Sequence, residues 1–454
     1  MSSKICLMMA DQTMKKMTIT NKAGSHILTN HIFPVNDFIQ MKEKVLNWAQ
    51  QFNTFSFLDN HGYQIKPHTQ ECILAAGVKR YISAHSGDAL SQLQLFIDEK
   101  KAWYFGHLSY DLKNELEPLS SGHPDHIGFP DLFFFEPEYI IQLNETGMEI
   151  TGENPQQVFD VISKTGNPSL REINTNSSVQ SRLSREEYIS TIEQLRWHIL
   201  RGDCYEINFC QEFFIEHATI DPLVLYKQLT AVSPNPFSAL YRVDDKWLLC
   251  ASPERFLKND AGTLLSQPIK GTSKRAPTDE KKDLETRDAL QHSDKDRSEN
   301  VMIVDLVRND LAKICEEGSV KVDELYGIYS FPQVHQMIST ISGRLKKDTC
   351  FSDIMRATFP MGSMTGAPKR KVMELIEKYE KTKRGIFSGA VGYIAPSGDF
   401  DFNVVIRSLM YNAATHYLSF QAGSGITFYS DPANEWEECM MKAEAMIQVL
   451  SPGS

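Results

Sequence analysis

The chain has 454 residues, of which 41% are hydrophobic, 10% aromatic and 23% charged, with a formal net charge of −11. These proportions are typical of a globular protein with a large core, and they are unlike those of a disordered chain. The acidic excess disfavours nucleic acid and anionic membranes as partners, because both attract a surplus of Lys and Arg.

The cysteines and the N-terminal residues indicate the cellular compartment of the protein. The eight cysteines are scattered and form no C-x-x-C pair, which is typical of free thiols in a reducing environment. The apolar run at residues 5–10 is too short for a signal sequence, and no run approaches the roughly 20 residues that span a bilayer. We therefore expect a cytoplasmic protein without membrane segments.

Strand-like runs punctuated by Gly and Pro dominate the first third of the chain, as at residues 103–105 and 132–135. Polar and small residues then replace the apolar periodicity, which predicts a linker over 166–184. The next region begins with a helix, because Ser184 and Glu187 form an S-x-x-E capping box ahead of apolar residues at helical spacing.

Downstream of this helix, strand-like and helical patterns follow in mixed order. The runs lie at 237–241 (strand), 247–251 (strand), 299–314 (helix), 369–380 (helix), 389–394 (strand), 404–411 (strand) and 417–421 (strand). Asp431 and Pro432 then mark the start of a last helix. Since strands and helices do not alternate regularly, we predict an α+β fold of large, mostly antiparallel sheets with helices packed outside.

Two of the helical segments each carry a pair of carboxylates on one face. Asp296 and Glu299 are three residues apart in the first, and Glu435 and Glu438 are three apart in the last helix, where Lys442 follows. Two such pairs could hold one Mg²⁺ through oxygen ligands. Solvated helix faces are the simpler interpretation in an acidic protein, and the spacing alone favours it.

Two further ionisable residues could take part in chemistry. Lys270 lies between Pro268-Ile269 and Gly271, and a lysine whose pKa is lowered by burial is a nucleophile. Two basic residues follow closely, however, and they favour an exposed lysine in a basic loop. Glu254 has apolar neighbours, which would raise the pKa of its carboxyl into the range of a general acid, although a surface pair with Arg255 fits equally.

Several features could receive an anion. Arg407 is a lone cation in an apolar run, where it needs an acidic partner or a bound carboxylate. The loops 362–369 and 423–425 could offer backbone N–H groups, although plain turns are the simpler interpretation. Together with Lys442, these features fit a small substrate with more than one carboxylate, but they do not identify it.

Six motifs stand in an order that resembles the chorismate-binding enzymes, the family of the aminodeoxychorismate, anthranilate, isochorismate and salicylate synthases. The motifs are PIKGT (268–272), ENVMIVDLVRND (299–310), GAPK (366–369), GAVGY (389–393), VIRS (405–408) and QAGSG (421–425). The likeness is dense over 184–446 and thinner before it. It implies a sandwich of sheets like that of anthranilate synthase component I, with an N-terminal subdomain over 1–165 and a catalytic domain over 185–450.

The resemblance implies a role for each residue of the site. Glu299 and Glu438 would be the principal Mg²⁺ ligands, supported by Asp296 and Glu435, and the metal would clamp the ring carboxylate of the substrate. Glu254 would be the general acid at the ring hydroxyl. Substrate contacts would come from Gly271, Thr272, His335, Ser363, Tyr393, Arg407, Gly423, Ser424, Gly425 and Lys442.

Lys270 stands where anthranilate synthases have alanine and aminodeoxychorismate synthases have lysine. The resemblance therefore implies amination of chorismate at carbon 4, which gives 4-amino-4-deoxychorismate for para-aminobenzoate and folate synthesis. In that scheme Lys270 attacks carbon 2 while Glu254 helps the hydroxyl leave, and ammonia then displaces the lysine. Glu206 stands where isochorismate and salicylate synthases have a water-activating lysine and where ammonia-using relatives usually have Gln, so it disfavours water addition.

No cysteine lies in a G-x-C-x-G glutaminase motif, so the resemblance implies a separate glutamine amidotransferase subunit that supplies ammonia. It also implies a tryptophan pocket with Pro236, Phe237 and Ser238 in its wall, but residues 57–60 depart from the family pattern and leave tryptophan binding open. The alternatives are anthranilate synthase component I and a non-catalytic module that senses chorismate or an aromatic amino acid.

Overall fold

The structure is a computed structural model that describes residues 29–63, 71–166 and 178–451. Residues 5–10 and Cys6, on which part of the compartment prediction rests, lie outside the described residues, as do residues 167–177 of the predicted linker. The described residues form 22 strands and 11 α-helices. Two short 3₁₀ turns lie at Tyr110–Leu112 and Gly362–Met364.

The elements are numbered in chain order. The strands are β1 (Thr29–Pro34), β2 (Thr54–Asp59), β3 (Cys72–Ala76), β4 (Arg80–Ala84), β5 (Tyr104–Leu108), β6 (Leu132–Glu136), β7 (Tyr139–Leu143), β8 (Gly147–Gly152), β9 (Gln180–Ser181), β10 (Glu206–Ile215), β11 (Phe237–Val243), β12 (Lys246–Ser252), β13 (Arg255–Asp260), β14 (Thr263–Gln267), β15 (Ile269–Lys274), β16 (Lys321–Ser330), β17 (Val334–Arg344), β18 (Gly366–Ala367), β19 (Ala390–Ile394), β20 (Phe400–Asn403), β21 (Ser408–Asn412) and β22 (Tyr417–Ile426). The helices are α1 (Phe38–Ala49), α2 (Ala89–Asp98), α3 (Lys113–Leu116), α4 (Pro155–Lys164), α5 (Arg185–Leu200), α6 (Pro222–Val232), α7 (Glu280–Gln291), α8 (Asp294–Ile314), α9 (Phe351–Thr358), α10 (Lys369–Tyr379) and α11 (Pro432–Leu450).

The strands form two large sheets. The first has the order β1-β8-β7-β3-β2-β11-β12-β21-β22-β10-β18, and β9 also pairs with β10. The second has the order β15-β17-β14-β13-β20-β19-β5-β6-β4, and β16 also pairs with β17. All of these pairings are antiparallel, which confirms the predicted α+β fold with antiparallel sheets.

Strands from both sides of the predicted linker complete the same two sheets. In the first sheet β2 pairs with β11, and in the second β5 pairs with β19. The boundaries at 165 and 185 stay a prediction, and in the structure the two regions do not occupy separate sheets.

Two apolar cores hold the layers together. Phe134 of the second sheet and Tyr241 of the first belong to a core between the sheets. Tyr188 on α5 and Met446 on α11 belong to a second core, which covers the outer face of the first sheet. Because side chains alternate along a strand, β10 and β22 present one face to these helices and the other to the space between the sheets.

The helices on the outer face of the first sheet begin at the predicted signals. Ser184 and Glu187 form both halves of the capping box of α5. Asp431 caps α11 by accepting two backbone N–H groups, and Pro432 is its first helical residue. The predicted strand 404–411 is shorter than expected, because Arg407 has a φ of 52°, which an extended strand does not allow.

Seven cysteines lie in the described residues, and all seven are free thiols; six of them are buried. No helix in the described ranges combines the length and the apolar character that crossing a membrane requires.

Candidate active site

A cavity of about 360 Å³, here called the main cavity, is lined by residues of β10, β15, β22, α8 and α11. Its volume lies within the range of small-molecule sites, which is roughly 300 to 1,000 Å³. It brings together most of the predicted site residues, namely Glu254, Lys270, Gly271, Thr272, Asp296, Glu299, Ser363, Arg407, Gly423, Gly425, Glu438 and Lys442.

Lys270 is buried beside a carboxylate from β10. Its Nζ donates a hydrogen bond of 2.6 Å to Glu206 Oε1, and the two residues are 8% and 1% exposed. Burial alone would lower the pKa of Lys270, but Glu206 and Glu299 outweigh burial and raise this pKa above its ordinary value. The interpretation of Lys270 as an exposed loop residue is therefore wrong, and so is a lowered pKa for the paired amine.

The alternation of β10 explains why Glu206 reaches Lys270. Asn208 and Cys210, two and four residues after Glu206, line the main cavity, whereas Ile207 and Phe209 belong to the core under the helices. Glu206 therefore lies on the cavity face of the strand. Its second oxygen, Oε2, is buried and has no hydrogen-bond partner within the part of the chain that the structure describes.

Glu254 is buried next to the 3₁₀ turn at Gly362–Met364. Ser363 Oγ donates a hydrogen bond of 2.6 Å to Glu254 Oε1. Burial raises the pKa of Glu254 to about 7, although the Ser363 hydrogen bond and the charge of Lys270 act in the opposite direction. Arg255 pairs with Asp401, at 3.0 Å, so the surface Glu254–Arg255 pair is wrong.

Three carboxylates from α8 and α11 converge on one ammonium group. Lys295 Nζ lies 3.2 Å from Glu435 Oε1, 3.7 Å from Glu438 Oε2 and 3.9 Å from Glu299 Oε1. Glu299 and Glu435 are buried, so the simpler interpretation of these pairs as solvated helix faces is wrong. Lys295 is not among the predicted site residues, although its place four residues before Glu299 puts it on the same helix face.

Burial and the neighbouring charges shift the pKa values of two carboxyl groups of this cluster in opposite directions. Burial raises the pKa of Glu299 to about 7, even though Lys270 and Lys295 oppose the shift. Burial would raise the pKa of Glu438 as well, but Lys442, Lys295 and Lys270 outweigh it and lower this pKa to about 2. The cluster therefore holds one readily ionised carboxylate beside one that titrates near neutral pH.

The donor chemistry of the cluster fits a hard divalent cation. Glu299 Oε1 and Glu435 Oε2 are buried and have no hydrogen-bond partner in the described residues, and carboxylate oxygens are the ligands that Mg²⁺ prefers. Asp296 lines the main cavity beside Gly271, 3.0 Å from where a Cβ of that glycine would lie. Among the described residues, no group of three His, Cys, Asp or Glu side chains is already arranged as a metal site.

Two cations line the main cavity and could bind an anion there. Lys442 Nζ donates a hydrogen bond of 2.8 Å to Glu438 Oε1 and one of 3.1 Å to the carbonyl oxygen of Gly423. Arg407 Nη1 donates a hydrogen bond of 3.4 Å to the carbonyl oxygen of Lys442. Burial lowers the pKa of Arg407 to about 10. The left-handed φ of Arg407 turns the chain at this point. Among the residues that the structure describes, the bond to Lys442 is the one hydrogen bond of the Arg407 guanidinium, which leaves its other N–H groups for a carboxylate.

Three predicted substrate contacts are not brought to the main cavity. His335 on β17 is buried, with Nε2 at 3.3 Å from Asp283 Oδ1, and its neighbour Gln336 lines the main cavity instead. Ser424 belongs to the face of β22 that the helices cover, between the two cavity-lining glycines. Tyr393 lines a separate cavity. In each case the pairing of the strands decides which face the side chain takes.

That separate cavity measures about 70 Å³ and contains the predicted wall of a tryptophan pocket. Pro236, Phe237 and Ser238 line it together with Asp59 and Tyr393. The structure therefore brings the three predicted wall residues together, outside the main cavity. Tryptophan binding itself stays a prediction.

Comparisons with known proteins give the family. The chain matches the family described as chorismate binding enzyme over residues 47–448. Aminodeoxychorismate synthase component 1 from Klebsiella aerogenes is 34% identical over 348 residues, and that from Escherichia coli K12 is 35% identical over 350; each alignment covers 76% of this chain and 76% of the relative.

Solved structures agree with the sequence matches. Anthranilate synthase component I from Streptococcus pneumoniae superposes with a TM-score of 0.73 at 26% identity, covering 85% of this chain and 94% of the other. The menaquinone-specific isochorismate synthase from Escherichia coli shares the fold, with a TM-score of 0.73 at 17% identity over 96% of this chain and 95% of the other. The fold implied by the six motifs is confirmed, and the chain belongs to the chorismate-binding enzymes.

Proposed function

We propose that the protein aminates chorismate at carbon 4 and forms 4-amino-4-deoxychorismate, the precursor of para-aminobenzoate in folate synthesis. The observation that carries this proposal is the buried amine of Lys270 in the main cavity, at a position where anthranilate synthases have alanine. The relatives named aminodeoxychorismate synthase component 1 support the same activity.

The charges of the main cavity suit this substrate. Chorismate carries two carboxylates, and Arg407 and Lys442 supply two cations in the cavity wall. Their N–H groups would orient the ring so that its carbon 2 faces Lys270 and its hydroxyl faces Glu254. Such positioning contributes to the rate by converting a bimolecular step into an effectively unimolecular one.

Lys270 and Glu254 would carry out the chemistry as nucleophile and acid. The free amine of Lys270 forms a bond to carbon 2, the electrons of the two ring double bonds shift towards carbon 4, and the carbon–oxygen bond there breaks. Glu254 gives its proton to the departing hydroxyl, which leaves as water. Ammonia then adds at carbon 4 while the bond between carbon 2 and the lysine breaks. Two such displacements leave nitrogen at carbon 4 with retention.

We also propose that Glu299 and Glu438 hold Mg²⁺, with Asp296 and Glu435 in support. When bound, the ion supplies a Lewis acid at the ring carboxylate. Glu299 Oε1 and Glu435 Oε2 are buried and accept no hydrogen bond within the described residues, which supports this assignment. Because Lys295 contacts three of the same carboxylates, we expect its ammonium group and the ion to compete for them.

The ammonia requires a source. The relatives are named component 1, which implies a second component. We propose that this partner is a glutamine amidotransferase subunit, and that ammonium salts replace it in vitro. We place the protein in the cytoplasm, since a reducing compartment maintains free thiols such as its seven described cysteines.

The test is the product formed from chorismate, Mg²⁺ and an ammonium salt. We expect 4-amino-4-deoxychorismate by chromatography and mass spectrometry. Lys270→Ala removes the nucleophile and should slow amination by about 100-fold or more, because covalent catalysis is lost. Lys274→Ala is the matched control, since this lysine is exposed.

Two outcomes would contradict the proposed function. The direct appearance of anthranilate and pyruvate would identify an anthranilate synthase instead. Amination at an unchanged rate in Lys270→Ala would show that this amine forms no bond with the substrate.

A further inference from the structure

Glu206 has no task in the scheme above, yet it is the hydrogen-bond partner of Lys270. We propose that Glu206 accepts the proton of Lys270 and so generates the free amine that attacks the substrate. The inference rests on the proposed function, because it concerns the activation of the same lysine.

The pair is held closely, with little of either side chain exposed. The hydrogen bond from Lys270 Nζ to Glu206 Oε1 measures 2.6 Å, and both side chains are buried. A Cβ at Gly425 would lie 2.8 Å from Lys270 Nζ and 3.0 Å from Glu206 Oε1. The absence of a side chain at this position on β22 therefore makes the room that the pair occupies.

Three other carboxyl groups face Lys270, but each has a different partner. Glu254, just before β13, accepts a hydrogen bond from the hydroxyl of Ser363. Glu299 on α8 lies 3.9 Å from Lys295, and Glu438 on α11 accepts from Lys442 at 2.8 Å. In the described residues, only Glu206 is within hydrogen-bond distance of the Lys270 ammonium group. A proton that leaves this nitrogen therefore has one direct acceptor.

The chemistry requires an acceptor for this proton. An ammonium group has no lone pair, so one N–H bond of Lys270 must break before its nitrogen bonds to carbon 2. The proton passes to Glu206 Oε1, which leaves a neutral carboxylic acid beside a neutral amine. When ammonia displaces the lysine from the substrate, the amine is released and takes its proton back from Glu206. The pair thus returns to its starting state, and Glu254 is protonated again from solvent.

A carboxylate acceptor also changes how the rate depends on pH. With Glu206 in place, the proton moves within the site, so the wild-type rate needs no prior loss of a proton to solvent. With Gln at 206, Lys270 must release its proton to water before the attack. The rate of that variant should therefore rise about tenfold per pH unit below the pKa of the lysine, because the free amine increases in that proportion.

The experiment measures the single-turnover rate at which the Lys270 adduct forms, by rapid quenching and mass spectrometry between pH 6 and 9. Glu206→Gln keeps the size of the side chain and should slow adduct formation at pH 7 by about 100-fold, the lower end of general-base effects. It should also show the new rise with pH. Glu206→Asp keeps a carboxylate and should retain the wild-type pH dependence.

An unchanged rate and pH profile in Glu206→Gln would overturn the inference, and so would a faster reaction, which would mean that Glu206 only holds the lysine in its charged form. If Glu206→Gln does not fold, a new rise with pH in Glu206→Asp would overturn it. A wild-type protein that forms no adduct and no 4-amino-4-deoxychorismate would instead contradict the proposed function itself, so the two failures are distinguishable.

Discussion

Glu254 and Lys270 both line the main cavity and are buried, and the pKa of each is raised for a different reason. Burial raises the pKa of Glu254, whereas neighbouring carboxylates raise that of Lys270. Glu254 has a hydroxyl partner and a pKa raised to about 7, so near pH 7 both its protonated and its ionised form are populated. Lys270 has a carboxylate partner and a pKa raised above its ordinary value. In the resting site near pH 7, the prospective nucleophile is therefore charged, and part of the acid is protonated.

Ser363 should set the upper pH limit of the reaction. Its hydrogen bond stabilises the ionised form of Glu254 and so lowers the pKa of this carboxyl, against the larger effect of burial. Ser363→Ala removes that effect, so the pKa of Glu254 should rise. Since the acid must be protonated, the decline of kcat above about pH 7 should move to higher pH. Ser363→Thr keeps a hydroxyl and should leave the profile in place, and a shift to lower pH in Ser363→Ala would refute the assignment.

Gly425 should be required for activity and Gly423 for stability. A methyl group at 425 meets the ends of two side chains, Lys270 and Glu206, at 2.8 and 3.0 Å, and should displace them. At 423 it meets the backbone carbonyl oxygen of Phe209 at 1.8 Å, which cannot move without breaking the strand pair. Gly425→Ala should lower kcat by about 100-fold, the cost of a 1 Å misplacement, with a nearly unchanged melting temperature. Gly423→Ala should instead lower the melting temperature, and equal melting temperatures for the two variants would count against this distinction.

For single residues, the sequence predicts which ones belong to the site better than it predicts their charge and their partners. The apolar neighbours of Glu254 are adjacent in the chain, so its raised pKa can be anticipated from local sequence. The partner of Lys270 lies 64 positions away on another strand, so its ion pair cannot. The motif that contains Lys270 predicts that the residue belongs to the site, but not that the paired amine is charged.

At the scale of elements, the sequence predicts where helices begin, but it does not predict which face of a strand lines the cavity. The caps of α5 and α11 depend on residues at most three positions apart, and both are confirmed. His335, Tyr393 and Ser424 lie on strands whose pairing and facing depend on distant partners, and none of the three reaches the main cavity. Local patterns specify an element, whereas the register of a sheet specifies which of its residues face a cavity.

The acidic faces of α8 and α11 should bind Mg²⁺ jointly. Binding to the folded state raises its stability, by about 2.7 kcal/mol when the free ion exceeds its dissociation constant 100-fold. We therefore expect Mg²⁺ to raise the melting temperature of the wild type, and a chelator to reverse the rise. Glu438→Gln should reduce this shift, because it removes a charged ligand.

The control for this experiment is Glu444→Gln, which removes the same charge from an exposed position on the same helix. It should leave the Mg²⁺-dependent shift unchanged. Equal shifts in both variants and the wild type would show that the ion does not bind between the two helices.

At the scale of the whole molecule, the site depends on sheets that neither half of the chain can complete. The main cavity is lined by residues after 207, yet the two sheets that contain its strands also include strands from the first 152 residues. Phe105 and Phe134 from that first part also belong to the core between the sheets. The catalytic region predicted over 185–450 therefore contains the chemistry but lacks part of its support.

The fragment 178–454 should accordingly fail to fold alone. Without the residues before it, β11 loses its pairing with β2 and β19 loses its pairing with β5, so both strands become exposed edges with unpaired backbone groups. We expect no cooperative thermal transition and strong aggregation for this fragment, and recovery of a folded, active complex when residues 1–177 are co-expressed with it. A fragment that melts cooperatively and aminates chorismate by itself would show that the second region is an independent domain, because the intersheet core would then be dispensable for both stability and the site.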